Sequence, residues 1–245
     1  MYQFTKSLAE KGFVVGADSK QEWLLPWWWE KYTKYNQYPV TFVDFGLSLK
    51  MKEWCKKQGH YIDLPNSFRA SIKSSHSKLE IEKWEKRYGQ NFWESRNAWF
   101  KKPLACLQSP YKYSVWMDCD CEIRGPLDSL FSLDLPHNGI AVTKEYIQGK
   151  ELNVNSGVIV FQRGSEIIKD WAKASLERNY AYPGDQDALY ALILEKQIPL
   201  CDLPIIYNHS RFSNDHSDAV VVHWHGEFGK SVIRNQIATS TVFVT

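Results

Sequence analysis

Between Trp116 and Phe131 the sequence reads WMDCDCEIRGPLDSLF, where acids and thiols interleave as Asp118, Cys119, Asp120, Cys121 and Glu122. A Cys-x-Cys pair would suit a soft metal, and an Asp-x-Asp pair a hard cation such as Mg²⁺ or Mn²⁺. On an extended chain side chains alternate faces, so Asp118, Asp120 and Glu122 should share one face and Met117, Cys119 and Cys121 the other. Thiolate zinc sites draw on four ligands in close pairs. The remaining cysteines, 55, 106 and 201, are isolated and no Cys-x-x-Cys exists. The thiols therefore read as small buried hydrophobes. Acids ending a buried strand are costly unless a cation meets them, which favours the carboxylates as the chemical set.

Four further groups stand out, each with a plain structural reading. His223-Trp-His225-Gly226 follows an apolar run, and either histidine could be a ligand or a hydrogen-bonded strand residue. Asp185-Gln186-Asp187 precedes an apolar helical run and reads equally as acids at a positive helix end. Asn155-Ser-Gly could be a turn, and Lys101-Lys102 on their own read as solvated charges.

Elements must position these groups. GFVVGAD (12–18) predicts a strand, and Ser19-x-x-Glu22 a capping box opening a helix through LLPWWWEKYTKY, with Pro26 kinking or starting it. PVTFVDFGL predicts a second strand, and Ser48 to Gln58 a helix closing at Gly59. YIDLPNSF reads as loop, SKLEIEKWEKRYG as charged helix, and the run to Ser109 as helix around or after Pro103. KYSVWMDCD is a third strand and LDSLFSL a short helix. HNGIAVTKE and NVNSGVIVFQRG are further strands, SEIIKDWAKASLERN and DQDALYALILEKQ amphipathic helices, and LPIIYN and AVVVHWHG the last strands. This alternation predicts an α/β domain with a mostly parallel central sheet flanked by helices.

The 245 residues, 44% hydrophobic and 24% charged, suit one large domain. A net charge of +2 argues against nucleic acid as a partner. The first residues lack a leader pattern and no apolar run is long enough to span a membrane. With an odd number of cysteines, these features set the expectation of a cytoplasmic chain with reduced thiols. Residues 50–102 hold 13 Lys/Arg against 6 Asp/Glu. That excess is either a solvated helical face or a basic rim for an anionic acceptor or a membrane surface.

Taken in order, GFVVGAD, VWMDCDCEIRGPLDSLF, NVNSGVIVF, PGDQDALYALI and VVHWHGEFGK resemble the landmarks of glycosyltransferases with the GT-A fold, most of all family 8 and its bacterial relatives. The resemblance spans about 12–230, with 66–99 matching nothing in it. It implies a single GT-A domain over 1–245, with a nucleotide-binding half at about 12–125 and an acceptor and catalytic half at about 126–245. It implies Mn²⁺ (or Mg²⁺) held by Asp118, Asp120 and His223, bridging the diphosphate of a UDP-sugar. Ala17 and Asp18 would meet the uracil, and Lys101, with Lys102 competing, the phosphate and sugar. Asn155 would contact the donor sugar, Gly226 and Lys230 would serve the phosphate, and Asp185 and Gln186 would lie beside the reacting carbon. The implied reaction moves a hexose, with retention of configuration, to a glycan, lipid-linked or protein hydroxyl. A non-catalytic sugar-nucleotide binder and an Asp-nucleophile phosphatase are the alternatives.

Overall fold

The structure, a computed structural model, describes residues 8–65, 67–147, 150–213 and 215–241. The N-terminal stretch read for a leader lies largely outside them, as does Asn66 of the expected loop. The elements, in chain order, are β1 (Ala9–Ala17), α1 (Leu24–Thr33), β2 (Val40–Asp44), α2 (Leu49–Gln58), β3 (His60–Asp63), α3 (Lys78–Tyr88), α4 (Phe92–Trp99) and α5 (Lys102–Leu107). There follow β4 (Tyr111–Met117), β5 (Cys121–Ile123), β6 (Ile140–Ile147), β7 (Lys150–Gln162), α6 (Glu166–Glu177) and α7 (Asp185–Lys196). The chain ends with β8 (Leu200–Asp202), β9 (His209–Ser210), β10 (Val221–His223) and α8 (Gly226–Thr241).

A seven-stranded sheet runs β3-β2-β1-β4-β7-β6-β8, and only β7 opposes the other strands. The mostly parallel sheet expected from the sequence is present, and it is continuous across the two expected halves. Its strands are apolar on both faces because both faces are covered. Val14 and Trp116 face the layer that holds α5, α6 and α7, while Phe13, Val15 and Met117 face α1, α2 and the small sheet.

That second sheet, β5-β10-β9, pins the C-terminal part of the chain to the acidic motif. Antiparallel pairing sets His223 opposite Cys121, and the Trp224 N–H donates to the Asp120 carbonyl at 3.0 Å. Two histidine-bearing and acid-bearing segments about a hundred residues apart are thereby fixed by backbone ladders.

Several local expectations change. Ser19 and Glu22 form no capping box: α1 begins at Leu24, and residues 20–23 are turn. Glu22 instead accepts from the Ser48 N–H and hydroxyl, both at 2.7 Å, locking the α2 N-cap across 26 residues. Ser48 in turn caps Met51. Tyr61–Asp63, expected as the start of a loop, lie instead in β3, which pairs parallel with β2 as the sheet edge. LPIIYN, expected as strand, makes a 3₁₀ turn at Ile205–Tyr207, since Pro204 removes a ladder donor. The helix α8 and the strand β8 had no counterpart in the sequence reading.

Candidate functional site

The site forms where β4 ends and the small sheet begins, at the carboxyl edge of the parallel strands, where α/β ligands gather. After Met117 the chain turns sharply: the Cys121 N–H donates to the Asp118 carbonyl at 3.1 Å. This turn cancels the expected alternation of faces. Asp118 and Asp120 still converge, but Glu122 points away to Arg124 and the Trp224 indole. Cys121, not Glu122, lies beside the acids: Asp120, Cys121 and His223 place ligand atoms within 4.8 Å of one another. Cys121 is fully buried, its Sγ faces the Gly157 carbonyl, and burial together with the two acids pushes its thiol well above the usual range.

His223 Nε2 lies 3.3 Å from Asp120 Oδ1 and 3.8 Å from Asp118 Oδ2. A hydrogen-bond chain fixes the ring. The Gly157 N–H and Asn208 Nδ2 both donate to Asn155 Oδ1, at 2.9 and 3.0 Å. Asn208 therefore turns its Oδ1 to His223, 3.1 Å from Nδ1, which carries the proton. The Nε2 lone pair is left facing two carboxylates, an arrangement that calls for a cation between them. Gly157 explains the small residue in the NSG motif, since a Cβ there would lie 2.2 Å from His223 Cε1.

The charges around Asp120 are consistent with such a centre. Burial would raise its carboxyl, but when no metal is bound a proton on His223 Nε2 would donate to it and add charge, and this, with Lys230, outweighs burial and holds it well below the usual range. Lys230 Nζ is 3.5 Å from Asp120 Oδ2, brought there by the first turns of α8, which starts at Gly226 with φ +78. His225 does not join the acids. Its Nε2 meets Ser210 Oγ at 2.9 Å, and burial, then His223 and Arg211, push it down to about 3.

A second cluster adjoins the first. Lys102 Nζ sits 3.0 Å from Asp118 Oδ1 and 3.2 Å from Asp185 Oδ2, and donates to Ser156 Oγ at 3.0 Å. Burial would lower this ammonium, but Asp118 and Asp185 raise it above the usual lysine range. The Asp185 carboxyl is raised by burial and by Asp118, against the pull of Lys102. Trp116 Nε1 donates to Asp118 Oδ1 at 2.7 Å. Gln186 Oε1 accepts from the Ser156 N–H at 3.0 Å, and Glu145 bridges Gln186 and Asn155, at 3.5 and 2.7 Å. Asp187 faces outward to the Tyr88 hydroxyl and Arg87.

The structure thus brings together Asp118, Asp120, His223, Lys230, Asn155, Asp185 and Gln186. Lys101 is buried elsewhere, donating to the Phe45 carbonyl at 2.6 Å, with burial lowering its ammonium. Lys102 occupies the place among the acids, because α5 turns consecutive lysines in different directions. Ala17 ends β1, and Asp18 Oδ1 accepts from the Lys20 and Gln21 N–H groups in the following turn. Asn155 is buried with its amide engaged by Gly157, Asn208 and Glu145. Glu145 and Asn208 went unnoticed in the sequence, since neither belongs to a motif that could have marked it, and Ser156 was noted only as the middle of Asn155-Ser-Gly.

The donor set fits a hard dication. The oriented imidazole nitrogen lies 3.3 Å from the Asp120 carboxylate and 3.8 Å from that of Asp118, near the roughly 3 Å between neighbouring ligands on an ion with bonds of about 2.1 Å. Asn208 supplies the hydrogen bond that metal-binding histidines need at their other nitrogen.

No protein-family model matches the chain, and no curated protein matches it in sequence. Solved structures do match in shape. The glycosyltransferase GlyE of Streptococcus pneumoniae TIGR4 gives a TM-score of 0.60 at 16% identity, over 89% of this chain and 55% of GlyE. The galactosyltransferase LgtC, in complex with donor and acceptor sugar analogs, gives 0.52 at 14%, over 91% of this chain and 94% of LgtC. Mouse xyloside xylosyltransferase 1 gives 0.54 at 14%, over 88% and 97%. The chain therefore spans little more than half the length of GlyE. The likeness is one of fold, and the fold is GT-A, as the ordered motifs led one to expect.

Proposed function

We propose that this chain is a metal-dependent glycosyltransferase moving a hexose from a UDP-sugar to a hydroxyl of a glycan, lipid-linked or protein acceptor, with retention of configuration. The observation that carries this is His223 Nε2, its ring fixed by Asn208, held against Asp118 and Asp120 at the carboxyl edge of the sheet. Asp118, Asp120 and His223 would hold Mn²⁺ or Mg²⁺. The ion, when bound, supplies Lewis-acid stabilisation of a diphosphate leaving group.

The chain's own groups do the rest. Lys230 places a positive charge beside Asp120, next to where the diphosphate would lie. A positive charge about 4 Å from developing negative charge, at an effective dielectric of about 20, contributes about 4 kcal/mol. Lys102 keeps Asp185 and Asp118 paired and in place. Gln186, held by Ser156 and Glu145, faces the sugar as an amide, and an amide is a poor nucleophile. Retention then proceeds by acceptor attack on the face from which UDP departs, with Asp185 orienting sugar hydroxyls. Ala17 and Asp18 receive the uracil at the end of β1, and Lys101, close to Asp18, contributes positive charge at that end.

The test is UDP release from a panel of UDP-sugars with Mn²⁺, beside a panel of phosphomonoesters. Release from one UDP-sugar, lost in Asp118→Asn, is the expected result. Turnover of phosphomonoesters instead would make this a phosphatase, and nucleotide-sugar binding without any turnover a binding protein.

A further inference from the structure

The loop after β9 carries a group that the transfer chemistry does not use. Phe212 is 71% exposed and Phe228, in the first turn of α8, 66%. Arg211 lies between them, its guanidinium 4.0 Å from the Phe212 ring centre and 5.4 Å from that of Phe228. Among the described residues, no carboxylate pairs with Arg211. Large exposed aromatics gathered around a guanidinium with no carboxylate partner among the described residues point to a ligand.

The group is built rigidly onto the metal-site strand. The Arg211 N–H donates to the His223 carbonyl at 3.2 Å, and its Nε to the His225 carbonyl. Ser210 Oγ holds both His225 Nε2 and the Phe212 N–H. The Phe212 ring stands 5.0 Å from His225, whose ring stands 5.1 Å from His223. The platform is therefore about two ring widths from the proposed metal ligand. It continues the chain from Asn208, whose amide holds both Asn155 and the His223 ring, so the platform adjoins the candidate site from the small-sheet side.

We infer that Arg211, Phe212 and Phe228 form an acceptor subsite for a sugar carrying an anionic group. The apolar face of a pyranose would lie on the exposed phenyl rings, and the carboxylate or phosphate would pair with the guanidinium, which suits either by its planar fork of donors. This inference rests on the transferase reading and narrows its acceptor class.

The test uses the protein with Mn²⁺ and UDP, titrated calorimetrically at low salt with three probes. These are p-nitrophenyl β-glucoside, p-nitrophenyl β-glucuronide and the 6-phosphate of p-nitrophenyl β-glucoside. At least one anionic probe should bind about 10-fold more tightly than the neutral one, in line with a partly exposed charged hydrogen bond. Which of the two is favoured identifies the anion. Arg211→Gln should abolish the preference, Arg211→Lys should keep part of it, and Phe212→Ala should weaken all probes alike. Equal affinity for the three, no binding of any, or a preference that survives Arg211→Gln would overturn the inference. So would an Arg211→Gln variant that loses UDP affinity to the same extent, since the platform would then serve the donor. Failure of UDP itself to bind with Mn²⁺ would instead overturn the transferase reading.

Discussion

Replacing Lys102 by Met separates two buried acids from the cation that makes them tolerable. The Lys102 side chain is 7% exposed, Asp185 6% and Asp118 23%, and the ammonium touches both carboxylates within 3.2 Å. Removing one member of a buried ion pair costs about 3–5 kcal/mol, because the partner charge is left without compensation. Methionine fills the stem volume and spares the cost of burying an ammonium, so a loss of about 3 kcal/mol is expected. For a chain of this size that lowers Tm by roughly 6–12 °C, with the denaturant m-value unchanged. The pH dependence carries a definite sign. The Asp185 carboxyl already sits above its ordinary 3.8, through burial first and Asp118 next, with Lys102 pulling it down. An acid raised in this way favours the fold below about 3.8 and loses that contribution as pH rises through its folded value. Without Lys102 the carboxyl rises further, so the deficit of the variant should grow from pH 5 to pH 8. Adding Asp185→Asn should restore about 1–2 kcal/mol, which a double-mutant cycle would read. Urea unfolding at the two pH values is the assay. A deficit under 1 kcal/mol that is equal at both would refute Lys102 as the counter-ion.

Other consequences follow from the same geometry. Gly157→Ala should displace the His223 ring, because the added carbon would meet it at 2.2 Å, and Mn²⁺ affinity measured by titration should fall at least 10-fold. Cys121→Ser should leave Mn²⁺ affinity within about 3-fold, while a stronger loss, or a preference for Cd²⁺ over Mn²⁺ in the wild type, would make the thiol a ligand. Gln186→Ala should lower kcat while leaving UDP affinity nearly unchanged, since its partners are Ser156 and Glu145 and not the metal set. An equal fall in UDP affinity would assign it to structure alone.

Much of the fold was legible because apolar runs ended in charged residues at the right places. KYSVWM followed by two acids announced a buried strand with a site at its end, and DQD before an apolar run announced a helix start. What escaped was set by partners distant in sequence. Glu22 looked like half of a local capping box, yet it caps α2 through Ser48. HYID is too polar to read as strand and exists as one because β2 offers it an edge. Alternation misled at Glu122 and Cys121, because the chain stops being a strand between Met117 and Cys121. The choice between Lys101 and Lys102 depends on a helix boundary one residue wide, which composition cannot fix. Asn208 and Glu145 became visible only when the fold put them against His223 and Gln186.

Asp118, Asp120 and His223 should act together as one cation site for a nucleotide diphosphate. Calorimetric titration of UDP into the wild-type protein, with and without Mn²⁺, and into Asp118→Asn, Asp120→Asn, His223→Ala and His225→Ala addresses it directly. Binding is expected only with Mn²⁺, weakened at least 10-fold in the first three variants and little changed in His225→Ala. UDP binding that needs no metal and is equal in all five proteins would contradict it.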